Sequence, residues 1–488
     1  MPKQLRYDGQ AFGLYIMRNP VKSIFNLNFL YLILIAAEIA AIIFLCLWLQ
    51  SLIPLAVGFA VVWILNLVAA ACVYSRGRSP EISCSLIIVI IALPIVGAVF
   101  YLTSAFKKQR RGKLKLSGVP HTEGYGGIAL SLCGTTDAGY DKAVYFKDGE
   151  EFFNLLFKEI ENAEKSVYLE YFIVGRGRIF NRLVSAVRTA HKKGAEIKFI
   201  IDGVGSAFKA GRKEIKLLRS AGVEIKLFHR LKPLFYTGLN NRDHRKIAVI
   251  DGKTAFTGGF NIGDEYANYD SRFGYWKDAG VALYGPAASV FEGMFLSVWN
   301  KGHEMPYPEG GKYKCLPYYD SPYAISGVAE NLFTTAINAA KERVHIFTPY
   351  LCAGEKINSA LSLAAMRGVD VRIIIPHVPD KKYAFELSKT FAAELIENGV
   401  NIYEYTPGFM HAKSMICDNK AFIGTHNLDF RSLRLNYECG VIFEGDICRA
   451  AESDFWNCAR LSSPFIIRTP SFFRRVYRFF LRLFVPLF

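Results

Sequence analysis

Apolar residues follow two regimes along this chain. Between positions 29 and 105 they run almost without interruption, in blocks at 29–49, 52–74 and 83–102. Each block is close to the roughly 20 residues that a helix needs to cross a bilayer. No small-residue cleavage site follows the first block and the second begins almost at once, so neither reads as a removable signal. Beyond position 139 the pattern becomes that of a globular protein. Short β-branched runs alternate with stretches of helical period, and the runs lack the strict alternation of a half-exposed strand. Strands of that kind are covered on both faces, which predicts an α/β fold.

The alternation is written twice. "AEKSVYLEYF" (163–172) is matched by "AKERVHIFTPY" (340–350), and "KKGAEIKFIID" (192–202) by "MRGVDVRIIIP" (366–376). "LRSAGVEIKLF" (218–228) is matched by "LIENGVNIYEY" (395–405), and "WKDAGVALYG" (276–285) by "YECGVIFEG" (437–445). Two α/β halves, 139–310 and 311–465, related by a pseudo-twofold and packed side by side, are the expected architecture. Tyr171 and Tyr350 match across the repeat at strand ends in this reading.

Charge changes the picture at both ends. The net charge of +16 calls for a polyanionic partner, either nucleic acid or an acidic membrane. Basic clusters precede the first apolar block (Arg6, Arg18, Lys22), follow the second (Arg76, Arg78) and follow the third (Lys107 to Lys115). All three clusters favour the cytoplasmic side. A hairpin of two spanning helices satisfies the first two. The third block, broken at Leu-Pro-Ile-Val-Gly (93–97), is then re-entrant, the alternative being a third crossing. The chain therefore divides into a cytoplasmic N-terminus (1–28), a membrane region (29–106), a basic linker (107–138), the two halves, and a tail (466–488). On a helix the tail sets Arg474, Arg478 and Arg482 in one stripe beside bulky apolar residues, the pattern of an interfacial helix on anionic lipid. The ten cysteines form no CxxC pair and read as small buried residues.

The candidate chemistry sits in a third pair of matching stretches. "NRDHRKIAVIDGKTAFTGGFN" ends at Asn261 and "FMHAKSMICDNKAFIGTHN" at Asn427. Each contains His-x-Lys-x-x-x-x-Asp, then a Gly and an Asn at matching distances. These motifs resemble those of the phospholipase D superfamily. With the apolar N-terminus, "LEYF", "YWKD", "TPY", "GTHNLDFRSLRLNYE" and the Arg-rich "LFVPLF" end, the chain is similar to bacterial cardiolipin synthases over nearly its whole length. One departure is "EYFIVGRGR", where that family often carries an acidic residue shortly after the strand; another is an extra-long N-terminal hairpin region. The implied fold is two phospholipase D-like α/β halves preceded by N-terminal transmembrane helices.

The residue types suit phosphodiester exchange. A neutral imidazole can attack phosphorus and a protonated one can protonate the leaving alkoxide, so two histidines split the transfer through a phosphohistidine. The resemblance implies that His244 is the nucleophile and His411 the acid, then base; the pseudo-symmetry alone would permit the reverse. Lys246 and Lys413 lie two residues on, on the same strand face as their histidines, and can hold the phosphate oxygens. Asn261 and Asn427 add neutral donors, and Gly258, Gly259 and Gly424 would let backbone approach the phosphate. Asp278 and Glu438 superpose in the repeat, so one is expected to orient each histidine, with the pairing left open. Asp251 and Asp418 complete the catalytic motif by spacing, but each precedes a turn-like pair and is expected to hold that turn. His191, His229, His345, His377 and His426 read as structural, and Arg431 as bracing the fold. No acidic cluster has metal-ligand spacing, and no metal or cofactor is expected.

A nuclease would explain the charge but not the apolar blocks or the tail, and no nucleic-acid module is present. A lipid substrate explains all of them. The resemblance implies transfer of a phosphatidyl group between two phosphatidylglycerol molecules with release of glycerol. The alternatives are a phospholipase D-type lipid hydrolase or another phosphatidyltransferase. The implied partners are phosphatidylglycerol, cardiolipin and the membrane, and the implied place is the bacterial plasma membrane, multi-pass, with the catalytic domain cytoplasmic.

Overall fold

In the computed structural model, residues 52–75 and 123–483 are described, apart from 208, 210, 230–240, 301–303 and 325, together with Val485 and a few isolated positions before residue 92. Residues 111–230 and 240–478 form one compact unit; 1–110, 231–239 and 479–488 form another.

The larger unit contains two sheets with one topology. In the first, strands run in the order 142–146, 280–284, 254–258, 246–250, 166–171, 196–202, 223–228. The second repeats it as 313–320, 438–444, 420–424, 414–417, 343–347, 370–376, 401–405, with 138–140 and 462–464 added at its edges. The three strands from 166 to 228 are parallel and the others antiparallel, and the second sheet repeats this. The helices obey the spacing that the sequence shows. Arg178–Lys192 buries Ile179, Phe180, Leu183, Val184 and Val187 on one face.

The halves are interlocked rather than merely adjacent. Ala138–Tyr140 pairs antiparallel with Cys315–Tyr313, so the chain enters the first half as an edge strand of the second half's sheet. Gly408–Met410 pairs parallel with Tyr275–Lys277. One hydrophobic core runs through both halves, with Val281, Phe291 and Phe295 from one and Phe347, Val441 and Phe455 from the other. A shared core makes the relative placement of the two histidine strands a property of the fold, not of a hinge.

The strand ends correct one repeat assignment. The backbone N–H of Val174 donates to Ser206 Oγ and that of Leu351 donates to Ser388 Oγ, both at 3.0 Å. Val174 is thus the counterpart of Leu351, and Tyr350 corresponds to Ile173, not Tyr171.

At the N-terminus, the helix Leu52–Ser75 has 24 residues and no charged side chain. Its side chains are described without a break only from 60 onward, and among the described residues no helix is long and apolar enough to cross a membrane. The apolar blocks at 29–49 and 83–102 lie largely outside the described residues, so the three-segment membrane region rests on the sequence. The tail helix Phe472–Leu483 forms as expected, but its basic stripe does not all face outward. Arg478 Nη2 lies 2.9 Å and Arg474 Nε 3.7 Å from the Glu386 carboxylate on helix Lys382–Glu397. Phe472 and Phe473 are instead exposed, at 73% and 82%.

Candidate active site

Each motif histidine is held by the opposite half. The backbone N–H of His244 donates to Tyr437 O at 2.9 Å, and that of His411 to Lys277 O at 2.7 Å. The residue after each of those carbonyls is the carboxylate. His244 Nδ1 lies 2.9 and 3.0 Å from the two oxygens of Glu438, and His411 Nδ1 lies 2.5 Å from Asp278 Oδ2. The pairing crosses halves in both directions. With Nδ1 engaged by a carboxylate, Nε2 is the nitrogen left for chemistry.

The two carboxylates are steadied differently. Glu438 also accepts from Thr425 Oγ1 (2.5 Å), Ser432 Oγ (2.5 Å) and Asn436 Nδ2 (3.1 Å). Asp278 Oδ1 accepts from the Ala279 N–H at 2.8 Å, and a Cβ on Gly259 would run into this carboxylate. Gly259 and Thr425 are equivalent positions, so one makes room for its carboxylate and the other donates to it. Gly258 and Gly424 face Gly280 and Gly440 across paired strands, where a Cβ would meet backbone. Their expected role toward a phosphate gives way to close strand packing.

Lys246 Nζ donates to His244 O at 2.5 Å, and Lys413 Nζ donates to His411 O. Both lysines are buried. Burial, only partly offset by Glu438 for one and by Asp278 for the other, pushes Lys246 down to about 8 and Lys413 down to about 7. Burial, with the nearby lysine charges, also pushes His244 down to about 4 and His411 down to about 3. Burial works to raise the Glu438 carboxyl, but attraction to His244 and their hydrogen bond bring it down to about 2. At neutral pH the cluster holds neutral imidazoles, ionised carboxylates and lysines poised near the loss of their protons.

Aromatic rings line the site, although the sequence pattern assigns them no role. Phe172 packs edge-on to His244 with ring centroids 5.1 Å apart. Tyr266 and Trp276 lie 5.4 and 5.0 Å from His411. Tyr266 follows Asn261 by five residues, and Asn261 Nδ2 donates to its hydroxyl at 2.7 Å. Asn261 Oδ1 accepts from the Ile173 N–H at 3.0 Å, while Asn427 Oδ1 is buried with no partner. Asn261 therefore keeps one amide hydrogen for another acceptor.

Asp251 and Asp418 do not join this group. Asp251 accepts from the backbone N–H groups of Glu164, Lys165 and Ser166, and Asp418 from those of Lys341, Glu342 and Arg343. Both have positive φ, 54° and 50°. Each ties the turn ending its own strand to the start of the neighbouring strand, the turn role expected of it. His426 Nε2 pairs with Asp320 Oδ2 at 3.0 Å, and His345 stacks on Phe455. Both are core histidines.

The family model described as "Cardiolipin synthase, PLD-like domain" matches residues 156–294 and 333–459, one segment in each half. The chain belongs to the cardiolipin synthase family. A cardiolipin synthase of Geobacillus sp. (strain WCH70) is 38% identical over 338 residues, covering 65% of this chain and 66% of that one. One of Geobacillus kaustophilus is 33% identical over 424 residues, covering 78% and 83%. The crystal structure of a phosphatidylserine synthase of Haemophilus influenzae shares the fold, with a TM-score of 0.56 at 12% identity over 72% of this chain and 97% of that one. Family membership makes the protein a phosphatidyltransferase of the cardiolipin synthase kind.

Proposed function

We propose that the site joins two phosphatidylglycerol molecules into cardiolipin through a phosphohistidine on His244. The observation that carries this reading is the pair of crossed histidine–carboxylate contacts, which orients two neutral imidazoles within one charge cluster. In the first step His244 Nε2 attacks phosphorus, the bond to the glycerol oxygen breaks, and His411 gives that oxygen its proton. In the second, the hydroxyl of another phosphatidylglycerol loses its proton to His411, attacks phosphorus and releases His244. One phosphodiester is exchanged for another, so no nucleotide is needed.

Charge explains when His411 becomes an acid. The two lysine charges help to hold its pKa low. A bound phosphodiester brings a negative charge against those lysines and favours the imidazolium, so the acid is made by the substrate. Lys246, Lys413, Asn261 and Asn427 supply the donors for the non-bridging oxygens.

The membrane reading is part of the proposal. On helix Leu52–Ser75 the residues Ile64, Leu65, Leu67 and Val68 are 55–62% exposed, while Asn66 is 3% exposed. An apolar exterior with its amide turned inward suits lipid as the surrounding phase. The exposed Phe472 and Phe473 suit shallow insertion of the tail into a bilayer.

Reactions quenched with denaturant at neutral pH, which spares the acid-labile P–N bond, and analysed by intact mass test the mechanism. His411→Ala, which slows both steps, is expected to carry any phosphatidyl adduct on His244, and His244→Ala to form none. An adduct in His244→Ala, carried by His411, would reverse the roles.

A further inference from the structure

Asp380 lies between the strand Asp370–Pro376 and the helix Lys382–Glu397. Aspartates elsewhere near helix starts and strand ends in this fold take backbone N–H groups. Asp264 caps Arg178 and Ile179, Asp320 caps Val328 and Ala329, and Asp202 takes the N–H groups of Val204, Gly205 and Asp243. Asp380 does not. The helix that follows has Lys381 at its N-cap, with no side-chain cap. Asp380 Oδ2 accepts from the Tyr350 hydroxyl at 2.5 Å, while Oδ1 is buried and accepts no hydrogen bond. A buried carboxylate oxygen without a donor is costly, so a fold that keeps one invites a donor from outside.

Its position says which donor. Val378, two residues before Asp380, donates its backbone N–H to Gly408 O at 3.4 Å, in the strand Gly408–Met410 that leads into His411. The carboxylate therefore stands on the His411 side of the site. A carboxylate repels a phosphate and attracts hydroxyls. On the proposed mechanism, which this inference takes as its basis, the departing and the incoming alcohol both exchange their protons with His411. The other half has no equivalent pair, because the counterpart of Tyr350 is Ile173.

We propose that Asp380, steadied by Tyr350, selects glycerol-type alcohols by accepting a hydrogen bond from the hydroxyl next to the reacting one. The reacting hydroxyl then points at His411, and an alcohol lacking the neighbouring hydroxyl leaves Oδ1 unpaired.

Partitioning from a common intermediate tests this independently of how fast that intermediate forms. The full-length protein would receive phosphatidylglycerol in detergent micelles with equal concentrations of perdeuterated glycerol and 1-propanol, and the two phosphatidyl products would be counted by mass. The native protein is expected to favour glycerol. Asp380→Ala is expected to lower the glycerol-to-propanol ratio by about 10- to 100-fold, the scale of a hydrogen bond to a charged group. The isosteric Asp380→Asn, suited to the case in which the alanine variant does not fold, is expected to lower it by at least about fivefold. An unchanged ratio with both products slowed equally would overturn the proposal, as would a native protein indifferent between the alcohols. A native protein that keeps the preference but never makes cardiolipin would refute the cardiolipin reading and leave this one standing.

Discussion

At the scale of single residues, the proposed mechanism separates the motif into groups assigned to the chemistry and groups that hold turns. Asp251 takes three backbone N–H groups at 2.7–3.0 Å and touches no site residue. Asp251→Asn is therefore expected to cost about 1–2 kcal/mol in urea unfolding while leaving activity per folded molecule within about twofold. A loss of activity without loss of stability would contradict that assignment. The lysines set the pH dependence. On the proposed mechanism their ammonium groups hold the phosphate, and their charged forms are lost as pH rises past about 7 for Lys413 and about 8 for Lys246. The histidines gain protons only below about 4 and about 3, which removes the nucleophile. The value of kcat/KM is expected to be flat between these limits and to fall on the alkaline side first at Lys413. Lys413→Arg, charged at all these pH values, should move the alkaline limb upward whatever it does to the plateau. A limb that stays in place would assign it to another group.

At the scale of elements, each carboxylate is delivered by the other half, Glu438 as the first residue of strand 438–444 and Asp278 in the gap between strands 275–277 and 280–284. Lys277 and Tyr437 present their carbonyls to a histidine N–H, and the next residue presents its side chain to the same ring. The tail is the second element to which the proposal gives a task. Arg474 and Arg478 engage Glu386, so the aromatic residues, not the basic stripe, are free to meet a membrane. Phe472→Ser with Phe473→Ser is expected to weaken binding of the full chain to phosphatidylglycerol vesicles several-fold, at about 1.5–3 kcal/mol per fully buried aromatic as an upper bound. Equal binding in vesicle flotation would remove the tail from the membrane account.

At the scale of the whole molecule, the duplication was legible because each half repeats its strands, its motif and its Asn in register. The side-by-side halves, the two histidines, the two lysines and the carboxylate pair Asp278 and Glu438 all followed from that repeat. Which carboxylate serves which histidine did not follow. The partners are 194 and 133 residues apart, and a repeat aligns equivalent positions without saying which copies touch. The interlocking strand at 138–140 and the rings of Tyr266 and Phe172 were hidden for the same reason, since they are contacts between segments of unrelated pattern. The Gly258 and Gly424 positions were seen, but their opposite partners on the next strand were not. Central to the proposal is that an alcohol, rather than water, takes the phosphatidyl group from the histidine. Incubating the purified full chain with phosphatidylglycerol as its only lipid, in EDTA, and separating the products by mass tests this most directly. The account predicts cardiolipin and free glycerol in equal amounts. Phosphatidic acid and glycerol, with no cardiolipin, would contradict it.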